Sequence, residues 1–446
     1  MKKLATLFLI LGFTLTAGAA DTNSPDWLTR PLSLADALNT ALEQNATIRE
    51  AKNDLEASQG IVIQTRAVAL PQVKATGQYT DEELTLLQEF PGFGFPLPHQ
   101  NWNAGIQIVQ NIYMGGRMVA AIRAANATQK QAIANYQTSV ADTLLNVRIA
   151  YYDVLLAAQQ ITVQEASVKL LQKEQDDQQH RLDAGTVPKF NVLRAEVAVA
   201  NQRPTLINAR NSYRIAKNNL SNLLGYNLPR DVWEDIPLNL TDNFDTSPYD
   251  VNLPDAVQQA LTRRTELTSL RKDVELQDLN IVNAKSGYKP TVSVFAGYNW
   301  VNSEFSTDPK DEFNGWNAGA QLNWNIFDGL LTYGKVKQAK SQYARSKTVL
   351  EDQQRQIELQ VRTYYSDFIQ ARETLESQAK VQEEADEALR EARARSEAGT
   401  GTQLDVLDAE TSLTQARTTQ LQAQHDYVAA RARLDRAIGT DLAPAK

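Results

Sequence analysis

Trp102-Asn103-Ala104-Gly105-Ile106-Gln107-Ile108-Val109-Gln110-Asn111-Ile112 decides how this chain is read. In an extended backbone Trp102, Ala104, Ile106, Ile108 and Ile112 point to one side, and Asn103, Gly105, Gln107 and Asn111 to the other. The stretch returns 214 residues later, where Trp316, Ala318, Ala320, Leu322, Trp324 and Ile326 alternate with Asn317, Gly319, Gln321, Asn323 and Asn325. Two shorter alternating segments precede them. Val73, Ala75 and Tyr79 oppose Lys74, Thr76, Gln78 and Thr80; Val292, Val294, Ala296, Tyr298 and Trp300 oppose Thr291, Ser293 and Asn299. The four predicted strands, 72–80, 102–112, 291–301 and 316–326, are each about ten residues long, the length that crosses a bilayer as a tilted β-strand. Aromatic residues sit mainly near the segment ends, where a bilayer has its interfaces.

The recurrence extends over most of the chain. An offset of 219 sets Leu34, Asp36, Ala37, Ala41 and Leu42 on Leu253, Asp255, Ala256, Ala260 and Leu261, and Pro71, Val73 and Tyr79 on Pro290, Val292 and Tyr298. An offset of 214 then holds without a gap from Trp102 to Gly225, and sets Val147-Arg148 on Val361-Arg362 and Ala184-Gly185-Thr186 on Ala398-Gly399-Thr400. The length change falls between Tyr79 and Trp102, which predicts an exposed loop there. The chain is thus a duplication: a first repeat at 21–226, a connector at 227–250 rich in Pro, Asp and Asn, a second repeat at 251–440 and a short tail at 441–446.

Between the strands lie long helices. Arg117 to Ala184 and Lys335 to Ala398 contain neither Gly nor Pro. Val140, Leu144, Val147, Tyr151, Val154, Ala158 and Ile161 step by four and three residues, a coiled-coil rhythm. Such a helix is ~100 Å long at 1.5 Å per residue. Shorter helices are expected over Ser33 to Ala69, Val192 to Leu224, Pro254 to Ser286 and Thr402 to Ile438, with a kink at Pro204. Gly185 and Gly399 read as the positions past a helix C-terminus where the chain reverses.

Met1-Lys2-Lys3, an apolar run from Leu4 to Leu15 and then Ala17, Gly18, Ala19 and Ala20 read as a secretory signal over residues 1–20. The whole chain of 446 residues carries 45 Lys+Arg against 53 Asp+Glu, a formal charge of −8, which argues against nucleic acid as a partner. With no Cys there is no disulfide, zinc-thiolate site, cysteine nucleophile or acylated N-terminal cysteine. His99, His180 and His425 are far apart in sequence, so no metal ligand pattern is predicted. Neither a catalytic constellation nor a cofactor motif stands out. Phe90-Pro91-Gly92-Phe93-Gly94-Phe95-Pro96 lacks the Lys and following helix of a phosphate loop and reads as an apolar loop tip.

Four strands with free edges cannot stand in hydrocarbon, because their unpaired N–H and C=O groups would go unsatisfied. Two chains would close eight strands around a filled interior; three would close twelve around water. The Asn, Gln, Thr, Ser and Lys face suits a wet lumen, which predicts a homotrimer that shares one barrel, with all its helices on one side of the membrane. The alternative is a periplasmic coiled-coil scaffold or adaptor without a pore, its strands forming a soluble half-buried sheet.

The twofold repeat, Leu70-Pro71 and Lys289-Pro290 before strands, Asn325-Ile326-Phe327-Asp328-Gly329 before a long helix, the paired Ala-Gly-Thr turns and Thr402-Gln403-Leu404-Asp405-Val406-Leu407-Asp408-Ala409-Glu410 together resemble the TolC family of outer-membrane efflux proteins. The resemblance implies a mostly helical fold with a small transmembrane β part: a trimer with a twelve-stranded β-barrel and a long α-barrel, serving as a passive duct between a periplasmic adaptor and an inner-membrane pump. It implies that Asp405 and Asp408 line a periplasmic constriction, with Asn191 and Arg194 as their repeat partners. It further implies that Arg181, Ala184, Gly185 and Thr186, with Arg395, Ala398, Gly399 and Thr400, form the adaptor-docking tips. Relatives often carry an acid where Asn191 stands, and some carry Tyr and Arg where Ser396 and Gly401 stand. Asp405 three residues after Thr402 also fits a helix capping box.

Overall fold

The computed structural model describes residues 30–83, 99–226, 236–303, 308 and 310–440. The predicted signal at 1–20, the loop tip from Phe90 to Pro96, part of the connector and the tail at 441–446 lie outside the described residues. In chain order the elements are β1 (Pro31–Leu32), α1 (Leu34–Gln44), α2 (Ala46–Ala67), β2 (Gln72–Asp81), β3 (Gln100–Met114), α3 (Arg117–Asp183), α4 (Lys189–Leu223) and β4 (Asn239–Leu240). They continue with α5 (Leu253–Arg263), α6 (Thr265–Lys285), β5 (Thr291–Asn302), β6 (Glu312–Asn323), α7 (Leu331–Glu397) and α8 (Gln403–Ile438). The duplication is visible in the backbone: α1 and α5 correspond residue for residue at an offset of 219, and α3 and α7, each of 67 residues, at an offset of 214.

The sheet runs in the order β2-β3-β5-β6, antiparallel throughout, so two hairpins lie side by side. The helices follow the same order. On the sheet side of the molecule α2, α3, α6 and α7 pack in sequence; at the far end α4, α3, α8 and α7 do so. Among the described residues no helix is long and apolar enough to cross a membrane.

Two buried clusters hold the middle of the bundle, and they are copies of each other. Val147, Val154, Leu220 and Leu224 fill the first, together with Ala37 and Ala41. Val361, Phe368, Leu434 and Ile438, with Ala256 and Ala260, fill the second. The connector binds both. β1 pairs in parallel with β4. The Tyr151 hydroxyl donates to the Leu32 carbonyl at 3.0 Å and to Asp242 at 2.9 Å, and burial pushes that phenol well above its ordinary pKa. In the second half Tyr427 donates to the Ser247 carbonyl at 2.8 Å, and Tyr249 to Asp435 at 2.5 Å.

Three expectations change. The single helices over Ser33 to Ala69 and Pro254 to Ser286 are each broken in two, at Asn45 and at Arg264, where the backbone turns extended. Asn45 ends one helix and caps the next: its side chain accepts from the Thr47 and Ile48 amides and donates to the Leu223 carbonyl at 2.6 Å. Arg264 stands at the equivalent break without a side-chain cap, held instead by charge. It forks onto Glu266, which also receives Arg436, while Arg436 reaches Asp142 at 2.8 Å. Burial opposes ionisation of Glu266, yet the two guanidinium groups hold its pKa down to about 2. Pro204 interrupts nothing: α4 runs through it, and exposed Ala200, whose carbonyl loses its partner, is open to water. Finally, the last strand is Glu312–Asn323 instead of 316–326, because its partner β5 begins only after Pro290, which has no N–H to pair further.

His425 of α8 lies buried between Asp153 of α3 at 2.8 Å and Asp426 at 3.0 Å, edge-on to the connector's Phe244. Burial disfavours its charge, but the two carboxylates win and raise its pKa above the ordinary histidine value. A raised folded pKa stabilises the α3–α8 contact fully below about pH 6.5 and loses that contribution as pH climbs through the elevated value. Thermal unfolding measured from pH 6 upward is expected to show this decline, and His425→Gln to flatten it.

Candidate functional site

Along its central rows the sheet register sorts most side chains by polarity. Tyr79 faces Trp102, Ala75 faces Ile106, Ile106 faces Tyr298 and Tyr298 faces Trp316, all on one side. Lys74 faces Gln107, Gln78 faces Asn103, Gly105 faces Asn299 and Ser293 faces Gln321, all on the other. Tyr79, Trp102, Tyr298, Trp300 and Trp316 form an aromatic band near the loop ends. Tyr288, Tyr113 and Trp324, the last donating to the Tyr288 carbonyl at 3.1 Å, mark the helix ends. The ten or so residues of β3 between Trp102 and Ile112 span roughly 34 Å along the strand, about 25 Å once tilted, which is the height of a lipid-facing band. Ile106, Ile108, Val73, Leu322 and Trp316 are all exposed in the single chain.

Strict alternation missed one feature of the polar face. Phe295 lies on it, over Gly319, where an added Cβ would come within 2.9 Å of the ring. An aromatic residue at an inward position is readable in sequence, but the glycine that receives it belongs to another strand.

At the far end both hairpin turns have the same construction. Thr186 N–H donates to the Arg181 carbonyl at 2.9 Å and Gly185 N–H to Leu182 at 2.8 Å. Thr400 N–H donates to Arg395 at 2.9 Å and Gly399 N–H to Ser396 at 3.2 Å. Gly185 and Gly399 have φ of +71° and +74°, and space around each is open, so backbone conformation selects glycine there. Ala184 and Ala398 end the long helices. The arginines are drawn back along their own helices, Arg181 to Asp177 at 3.0 Å and Arg395 to Glu391. The Gly401 N–H also donates to Arg395, at 3.0 Å, and a Cβ at Gly401 would press on Arg395 Cβ at 2.9 Å.

Asp405 and Asp408 are exposed on the first turns of α8. Asp405 is engaged by its own helix: it accepts from the Thr402 amide at 2.9 Å and hydroxyl at 2.8 Å, and these bonds hold its pKa below the usual carboxylate range. Asn191 and Arg194 occupy the matching turns of α4, with the Arg194 guanidinium 5.0 Å over the Phe190 ring. The starts of α4 and α8 are joined by Gln403, which donates to the Asn191 carbonyl at 3.0 Å, and by Val199 and Leu407 packing on Leu171 of α3. Gln403 and Glu410 were not predicted as site residues. Glu410 is 2% exposed and receives Arg393 of α7 at 2.8 Å, while burial raises its pKa. Its signal was present, since Glu410 repeats Glu196, but no pattern pointed to Arg393.

A sheet apolar on one face, open at both edges and carried on hairpins of 67-residue helices defines a subunit of a membrane channel with a long helical extension. The family model for outer membrane efflux proteins matches residues 37–226 and 256–440, and the chain belongs to that family. It is an outer-membrane protein with a periplasmic helical portion. The outer membrane protein TolC of Vibrio cholerae is 24% identical over 99% of this chain and 96% of its own length. The cobalt-zinc-cadmium resistance protein CzcC of Cupriavidus metallidurans is 23% identical over 92% of this chain and 90% of its own. Among solved structures, the CmeC outer membrane channel of Campylobacter jejuni superposes with a TM-score of 0.79 at 14% identity, covering 91% of this chain and 85% of that one.

The two faces of one strand give a test. Ile106→Arg, at mid-height on the apolar face, is expected to cost about 2–4 kcal/mol and to deplete assembled protein in outer-membrane fractions. Gln107→Arg, on the other face, is expected to assemble normally and to change only conductance.

Proposed function

We propose that three copies close a twelve-stranded barrel and a continuous α-barrel, forming a passive exit duct that docks a periplasmic adaptor and an inner-membrane pump. The observation that supports this reading is the pair of unpartnered edges, β2 and β6, on a sheet with one apolar and one polar face. An open edge in lipid leaves backbone groups unsatisfied, and a closed ring of three such sheets leaves none. The same sheet argues against a pore-free periplasmic scaffold, which would have to cover its exposed tryptophans and isoleucines with helix, whereas the long helices run away from it.

In this reading the turns at Arg181 to Thr186 and Arg395 to Thr400 are the adaptor-docking tips, since both are exposed, identically built and farthest from the sheet. Asp405 and Asp408, with Asn191 and Arg194 beside them, form the periplasmic constriction. Six carboxylates around a narrow axis favour cations. Cargo is then imposed by the pump and adaptor, because the duct itself contains only a wet lumen and a charged tip.

Planar-bilayer recording tests the proposal. A folded trimer is expected to conduct, with cation preference reduced in Asp408→Asn, a residue free of the Thr402 cap. Electrically silent, well-folded trimers would refute a duct. Asp405→Ala removes the carboxylate half of the capping box, leaving the Thr402 hydroxyl to accept from the amide of residue 405, and is expected to cost about 0.5–1 kcal/mol of helix stability per chain.

A further inference from the structure

Charge is distributed unevenly along the helices. Four stretches adjoin the sheet: 57–69 at the end of α2, 115–141 at the start of α3, 279–288 at the end of α6 and 329–350 at the start of α7. Together they contain ten Lys and Arg and no Asp or Glu. All 53 Asp and Glu lie elsewhere, in a chain that is acidic as a whole. Asp328, the acid on the sheet side of α7, is occupied by the Thr332 amide and hydroxyl. Two of the cations recur in the duplication: Arg66 matches Lys285 at the offset of 219, and Arg123 matches Lys337 at the offset of 214. Farther down α7 the exposed face carries both signs in pairs, Arg355 with Asp352 and Arg362 with Glu358.

The handedness of the sheet fixes which way these cations face. β2 rises from the helices, and its polar-face residues pair with β3, in step with Glu82, whose N–H donates to the His99 carbonyl at 2.8 Å. On a rising strand of L-residues, a side chain that points at the viewer goes with an N–H that points right. Seen from the apolar side, strands and helices therefore follow one another from right to left. Looking from the sheet down α3 or α7, residues advance clockwise. In α3 Thr138 meets Thr265 of α6, on its left, at 2.6 Å. The quarter-turn before that row carries an exposed stripe, Val119, Arg123, Asn126, Lys130 and Ile133, which faces outward. In α7 Thr332 packs on Gly287 at the end of α6, on its right, and Ala339 and Ser346 continue that row. The quarter-turn after it carries the equivalent exposed stripe, Tyr333, Lys337, Lys340, Ala344 and Lys347. Arg66 joins the outward face by donating to Asn126 at 2.8 Å. Arg345, one residue before Ser346, turns to the lumen.

Aromatic residues set the edge of the bilayer at the same level. Tyr113, Tyr288 and Trp324 mark the helix ends of the strands, and Tyr333, 59% exposed, stands on the outward stripe of α7. Arg123 and Lys337 lie six residues into their helices, about 9 Å from the helix start at 1.5 Å per residue. Arg66 and Lys285 lie within one residue of the ends of theirs. We infer that Arg66, Arg123, Lys285 and Lys337 form a belt around the outside of the helices that binds anionic phospholipid headgroups of the leaflet on the helix side. Charge complementarity selects this occupant. A helix face in water gains from alternating signs, as α7 shows lower down, whereas removing every carboxylate from four separate stretches raises affinity only for a negative surface. The belt also fixes how deep the strands sit: sliding the sheet outward drags cations toward hydrocarbon, and sliding it inward parts them from the phosphates. It requires the sheet to lie in the membrane but not to enclose a duct, so the two readings can fail separately.

The test is made on the full-length protein in nanodiscs of phosphatidylethanolamine containing a minority of phosphatidylglycerol, with retained lipids identified by native mass spectrometry. Phosphatidylglycerol is expected to be enriched about threefold over its share of the bilayer, and less so as salt is raised. Arg66→Gln/Arg123→Gln/Lys285→Gln/Lys337→Gln is expected to return it to that share while keeping the melting temperature and the bilayer conductance, which separates lost binding from lost folding. Arg66→Lys/Arg123→Lys, which keeps the charge, and Arg345→Gln, whose charge faces the lumen, are expected to retain the enrichment. Equal retention of the two lipids by the unmodified chain, or enrichment that survives in the fourfold variant, would overturn the belt. Enrichment lost equally in Arg345→Gln would place the lipid in the lumen and overturn it as well. Binding of isolated peptidoglycan by the unmodified chain but not by the fourfold variant, with no preference between the lipids, would give the belt to an acidic wall polymer instead. A chain that conducts without lipid preference removes the belt and leaves the duct.

Discussion

Backbone hydrogen bonding in hydrocarbon governs this molecule. A strand edge in water is solvated at little cost, but in lipid each unpaired N–H or C=O costs several kcal/mol, and an edge of ten residues presents about half that many of each. The sheet here has two such edges, and among the described residues no strand pairs with either. Everything else is subordinate to closing it. The hairpins lie side by side in one antiparallel order, so that the open edges belong to strands from different halves. The helices leave the sheet in the same order, so a ring of strands becomes a ring of coils without any crossing of the chain.

Continuity between the two rings is achieved at the strand-to-helix turns. Asp328 accepts from the Thr332 amide at 2.9 Å and hydroxyl at 2.5 Å, closing the first turn of α7 two residues after a left-handed pair at Gly329 and Leu330. In the first half Gly115 and Gly116 make the same turn, and a Cβ on Gly115 would strike the Ser286 carbonyl at 2.8 Å. The turn therefore fixes where each long helix starts relative to the sheet, and the matched lengths of α3 and α7 bring both hairpin tips to one level.

What the sequence showed and what it hid divide along physical lines. Strand polarity, helix length and the glycine turns are properties of neighbouring residues, and the repeat displayed each of them twice. The breaks at Asn45 and Arg264 were hidden because both lie inside otherwise helical sequence and only one carries a capping side chain. What fixes them is tertiary: the end of α4 reaches Asn45 through Leu223, with Gly225 so close that a Cβ would meet the Gln44 carbonyl at 2.5 Å. The capping box at Thr402 and Asp405 was legible from three-residue spacing. The bond from Gln403 to Asn191, which joins two helix starts 212 residues apart, was not, since no local pattern selects a partner at that separation.

Duplication within one chain permits a design that six identical half-chains could not have. Identical halves would place the same side chains on all six hairpins at the tip, so a carboxylate pair on each would set twelve like charges around one axis. Here the positions equivalent to Asp405 and Asp408 are Asn191 and Arg194. In the proposed trimer acidic turns alternate with turns that are neutral or basic, and the ring keeps its cation-attracting carboxylates while halving their number and separating them with guanidinium groups. Like-charge repulsion between carboxylates a few ångströms apart would otherwise raise their pKa values and spread the tip. The break points diverge too: a neutral Asn45 cap is tied to Leu223 within the first half, whereas the Arg264–Glu266–Arg436–Asp142 network crosses from the second half to α3 of the first.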